Sequence, residues 1–210
     1  MGVQGSKVEP TALLERTGLC GVSTNMVITR WWPAFRKACP RYAMGAQAFE
    51  ELFGVTFKCA SIDVLCKAFA SLDERRRGIV DGLEVFAALV VFSQGKLFEK
   101  ADALYTCFEF VEHGELDLAA LGMMIERTYS GLRKTASFLE VTMPAHLPRA
   151  LANHAFRTSG VDDDQSMPRA AFHEWWQRDS MVRKLFQKFT DAADEALPPE
   201  SEWRGLPPEA

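Results

Sequence analysis

Long apolar runs are missing from this chain of 210 residues. The longest, Val85 to Phe92 (VFAALVVF), falls far short of the roughly 20 residues a membrane-crossing helix needs. No apolar stretch of the kind found in a secretory signal stands near the start. The five cysteines, Cys20, Cys39, Cys59, Cys66 and Cys107, are odd in number and never spaced C-x-x-C. Neither a disulfide framework nor a zinc site is expected, and the thiols read as reduced and mostly buried in a cytoplasmic protein. Positive charge is not in excess either: the formal net charge is −4, with no basic face for nucleic acid. The histidines, His113, His146, His154 and His173, are scattered. With no nucleophile–base pair and no phosphate-binding glycine loop, an enzyme is not expected.

What the chain does have is helical periodicity. In Ser61 to Leu72 the apolar residues Ile62, Leu65, Cys66, Phe69 and Leu72 recur at helical spacing, which predicts one buried stripe. A polar interruption follows, then Leu83 to Phe92, read as apolar on one side. The same layout returns as Ala101 to Phe108 before Leu118 to Tyr129, as Leu147 to Ser159 before Ala170 to Trp176, and more faintly as Val27 to Lys37 before Gln47 to Phe53. Four helix-loop-helix units in an all-α protein are expected, paired into two lobes over residues 20–95 and 96–190. Residues 1–19 stand outside the repeat. So do residues 191–210, acidic and proline-rich, where a mobile tail is expected.

A calcium loop of the EF-hand type has twelve residues, with oxygen ligands at positions 1, 3, 5, 7 and 9, glycine at 6 and a bidentate carboxylate at 12. Residues 73–84, DERRRGIVDGLE, keep this frame with Asp73 at 1, Gly78 at 6, Val80 at 8, Asp81 at 9 and Glu84 at 12. Phe69 stands where the first helix of the hand needs a core anchor. Positions 3 and 5, however, are Arg75 and Arg77, whose guanidiniums stay charged and have no lone pair for a cation. This loop is expected to bind calcium poorly. Two arrangements remain open: an arginine pairs with Asp73, Asp81 or Glu84 in place of the ion, or both arginines point into water.

The third loop, residues 109–120, has Tyr105 as anchor, Gly114 at 6 and Leu116 at 8, but Val111, His113 and Ala120 at positions 3, 5 and 12. It cannot chelate. The fourth, residues 160–171, keeps Asp162 and Asp164 at 3 and 5 and Met167 at 8, between Gly160 at 1 and Ala171 at 12. The first, residues 37–48, has no acidic residue at all. Calcium is therefore a doubtful ligand, and no cofactor is required.

The opening MGVQGSK, with Gly2 and Ser6, fits the pattern for N-myristoylation. With the pair Trp31–Trp32 ahead of Cys39–Pro40 (WWPAFRKACP) and the phrase SQGKLFEK at residues 93–100, the chain resembles the neuronal calcium sensor family, recoverin included. Calaxin and the calcineurin B subunits share the four-hand layout. The resemblance implies a myristate on Gly2 and, in the family, a calcium-opened groove. Here the lost ligands remove the calcium switch, and Tyr42 replaces the glycine of the first loop.

Hands that bind targets take an amphipathic helix into an apolar groove. The candidate lining is Trp31, Trp32, Phe35, Phe49, Phe53, Phe69, Phe86, Leu89 and Phe92. Trp31 beside Trp32, and Trp175 beside Trp176, are read as partner contacts because adjacent helix positions do not face one core. Two functions are expected: a non-enzymatic regulatory adaptor for a target helix, tethered to a membrane surface by myristate, or a docking component of a ciliary or flagellar axoneme.

Overall fold

The computed structural model describes residues 21–110, 115–135, 145–162 and 165–179. Gly2, Val111, His113, Asp164 and the acidic tail lie outside them.

Helix α1 (Thr24–Met26) starts where the Ser23 side chain accepts a hydrogen bond from the Met26 N–H at 3.2 Å. It widens into a π-helical turn at Val27–Trp31 and continues as α2 (Trp32–Ala38). After strand β1 (Ala43–Gly45), α3 (Ala46–Glu50) widens in the same way at Glu51–Thr56. Next come α4 (Ile62–Leu72), β2 (Ile79–Asp81) and α5 (Gly82–Phe92). The second half runs α6 (Leu97–Phe108), α7 (Leu118–Thr135), α8 (Leu147–Ser159) and α9 (Arg169–Arg178). Acidic side chains satisfy the free N–H groups at several starts. Asp81 accepts from Leu83 N–H at 2.9 Å, Glu99 from Lys96 N–H at 2.8 Å, and Asp117 from Ala120 N–H at 2.6 Å.

The chain is an all-α EF-hand protein, and the pairing of its loops proves the twelve-residue frame. β1 and β2 are antiparallel with Met44 opposite Val80, which are the eighth positions of loops one and two. Leu116 and Met167, the eighth positions of loops three and four, exchange backbone hydrogen bonds of 3.1 and 2.7 Å. The sixth position needs a left-handed backbone. Gly78 takes it at φ 71°, and Tyr42, without glycine's freedom, takes it at φ 60°. The predicted anchors Phe69 and Tyr105 are both buried, and the Tyr105 hydroxyl donates to the Met167 carbonyl at 2.9 Å.

One continuous apolar core runs through both hand pairs. Its axis is α5, in which ten consecutive residues from Gly82 to Val91 are buried. One apolar side is expected for this helix from its sequence. VFAALVVF is apolar all round, and such a helix is stable only when covered on every face. α7 supplies the largest part of that cover, crossing where Gly131 meets the Glu84 backbone so closely that a β-carbon would overlap the Glu84 carbonyl oxygen.

Candidate functional site

The second loop is held from inside by Asp73. Its two carboxylate oxygens accept from Arg77 N–H at 2.9 Å and Gly78 N–H at 2.6 Å, while its carbonyl accepts from Arg76 N–H at 2.9 Å. The other two ligand-position carboxylates are met by α7. Asp81 lies 3.0 Å from Arg127 Nε; Glu84, 8% exposed, lies 2.5 Å from Lys134 Nζ and 3.9 Å from Arg127 Nη1. Arg133, also on α7, holds Glu74 through both carboxylate oxygens. That contact pulls the Glu74 carboxyl below its ordinary range and pushes the Arg133 guanidinium above its own. Burial instead raises the Asp81 carboxyl, with the Arg127 charge opposing it.

Cations therefore do lie against two ligand-position carboxylates, but they come from a different hand. Arg75 and Arg77 are exposed, and neither forms an ion pair with Asp73, Asp81 or Glu84. The reason is geometric. The loop is already tightened around Asp73 by backbone N–H groups, and Arg127 and Lys134 reach Asp81 and Glu84 from a helix lying across the start of α5. Sequence reasoning missed these two because they are 43 or more positions from Glu84 in the chain. One signal was present: they are two helical turns apart on α7 with Gly131 between them, one face of a helix built for close approach.

The second hand pair repeats the substitution. Glu109, at position 1 of the third loop, lies 3.0 Å from Arg169 Nη2 of the fourth. Arg169 also binds Asp102 at 2.6 Å and sits 4.5 Å above the Tyr105 ring. His173 Nε2 approaches the same Asp102 at 3.1 Å. Asp162 is exposed. Among the described residues no group of three or more His, Cys, Asp or Glu comes together that could hold a metal ion. In the second loop the carboxylates of Asp73, Asp81 and Glu84 already face partners, and two ligand positions carry arginine.

The candidate groove residues lie inside the protein. Trp31, Trp32, Phe35, Phe49, Phe53, Phe86 and Leu89 are each at most 4% exposed, and Phe92 is half-buried. Trp31 stacks on Phe57 with ring centres 4.6 Å apart, while Trp32 packs against Phe86 at 5.3 Å and Phe35 at 5.4 Å. Adjacent positions are thus both buried, because this helix runs between two apolar walls. Trp175 and Trp176 are also both buried, each packing against Phe172.

No family model matches the chain. It is 22% identical over 160 residues to guanylyl cyclase-activating protein 2 of Gallus gallus, covering 76% of this chain and 81% of that protein. The Lithobates pipiens protein of the same name gives the same figures. Visinin of Gallus gallus is 19% identical over 165 residues, 78% of this chain and 85% of its own. These are neuronal calcium sensor EF-hand proteins. The chain is a distant relative of them.

Proposed function

We propose that the protein is a calcium-independent regulatory adaptor, an EF-hand protein whose second loop is closed by Arg127 and Lys134 and which binds an amphipathic helix of a protein target. The observation that supports this is the engagement of Asp73, Asp81 and Glu84 by partners within the protein. Because the aromatic lining is packed together, the helices of the first hand pair must part to admit a target. With no ion to drive that step, the target helix itself supplies the free energy, and binding selects the open form. The relatives named for activating guanylyl cyclase make an enzyme's regulatory helix a reasonable target. A myristate on Gly2 would give the adaptor a weak membrane tether that needs a second attachment.

Calorimetric titration with calcium tests the central point: no heat of a site tighter than about 100 µM is expected, and a tighter site overturns the reading. Capture of a target from extract should be equal in calcium and in chelator. Labelling with an alkyne myristate tests the tether; equal signal from wild type and Gly2→Ala removes it.

A further inference from the structure

In a calcium loop the side chains at positions 3 and 5 converge on the ion. In the second loop of this protein Arg75, Arg76 and Arg77 all face water. Every carboxylate of the loop and its flank is engaged by something other than these guanidiniums: Asp73 by backbone N–H groups of the loop, Glu74 by Arg133, Asp81 by Arg127, Glu84 by Lys134. Three adjacent positive charges are left over. Their backbone is stiff, since Arg76 N–H, Arg77 N–H and Gly78 N–H all donate to Asp73, with Arg76 at φ 50° and Gly78 at φ 71°. Next to them Ile79 is 56% exposed. The first loop, joined to this one through β1 and β2, adds exposed Lys37 and Arg41.

We propose that this loop tip docks on an anionic membrane face, with the guanidiniums on lipid phosphates and carboxylates and Ile79 at the boundary between headgroups and acyl chains. Residues 74 to 79 are exposed without a break and a β-carbon built on Gly78 would meet nothing within 4 Å, so three adjacent cations are open to an extended plane of anions. Arginine suits the contact because its planar fork binds phosphate in two places. Each basic residue near an anionic surface contributes about fivefold in binding, so the three together contribute on the order of a hundredfold. The contact weakens with salt, because the screening length is about 8 Å at physiological ionic strength.

The test uses the full-length chain without acylation, sedimented with vesicles of phosphatidylcholine alone or with phosphatidylserine added. Binding only to the anionic vesicles is expected, and the triple variant Arg75→Gln, Arg76→Gln, Arg77→Gln should lose on the order of a hundredfold. Replacing the same three residues with lysine should keep most of the binding, and Ile79→Ser should weaken it a few-fold. Equal binding by the triple glutamine variant, or equal binding to neutral vesicles, overturns the proposal. So does polyglutamate displacing the protein as readily as added phosphatidylserine vesicles do, which would assign the tip to an acidic protein. Neither calcium nor myristate enters the measurement, so its failure is separate from failure of the adaptor reading.

Discussion

Gly131 of α7 touches the Glu84 backbone at the start of α5, with no room for even a methyl group between the two helices. On an exposed helix Gly→Ala gains up to about 1 kcal/mol. Here the added carbon must push α7 off α5, and overpacking of this kind costs about 1–3 kcal/mol. Gly131→Ala is therefore expected to lower the urea midpoint. A raised midpoint would show that the helices are not in contact at this point.

Lys134 and Arg169 each hold an acidic side chain but differ in exposure. Glu84 and Lys134 have side chains only 10% and 15% exposed, so Lys134→Met leaves a poorly hydrated carboxylate with only the more distant Arg127. A loss of about 2–3 kcal/mol is expected, with most of it recovered when Glu84→Gln is added. Arg169 and Asp102 are 37% and 40% exposed, and solvent screening limits the loss from Arg169→Met to about 1 kcal/mol. Chemical denaturation of the three variants measures the difference; equal losses at both sites would contradict it.

Burial holds the His173 imidazole below its ordinary pKa, with the Asp102 carboxylate opposing the shift. The unfolded chain takes up this proton near pH 6.5, the folded chain only at lower pH. Stability from this residue is thus complete above about pH 6.5 and declines as pH falls through the folded value. Asp81, whose carboxyl is raised by burial, acts in the opposite direction. The melting temperature should drop between pH 7.5 and pH 5.5, and His173→Phe, which keeps a ring against Phe98, should flatten that drop. An unchanged slope in the variant would remove His173 as its source.

Cys66 is exposed, with its thiol donating to Glu50 at 3.0 Å. That hydrogen bond is the main cause of its raised pKa, whereas Cys107 is raised by burial. Alkylation followed by mass spectrometry should find Cys66 modified well before Cys107, at a rate that climbs with pH and increases in Glu50→Gln. Faster labelling of Cys107 would contradict its buried placement.

The fold was legible because its signals are local. Val80, Leu116 and Met167 could be placed at the eighth loop position by counting, and their pairing follows from it. Phe69 and Tyr105 could be named as anchors on spacing alone. The site was only half legible. Asp73, Asp81 and Glu84 were identifiable, but their partners Arg127 and Lys134 are set by how α7 crosses α5, a relationship no local pattern contains. The Trp31–Trp32 pair misled for a related reason: a rule about one core does not apply to a helix with apolar walls on two sides.

The burial of α5 on every face bears on how the molecule can be divided. A cut in the turn between Phe92 and Leu97 would assign α5 to one fragment and its main covering helix to the other. Neither fragment would be a finished unit: one would carry an uncovered apolar rod, and the other the empty seat that fits it. The two halves are thus halves of the chain rather than separable parts, and they are expected to fold, unfold and be degraded together.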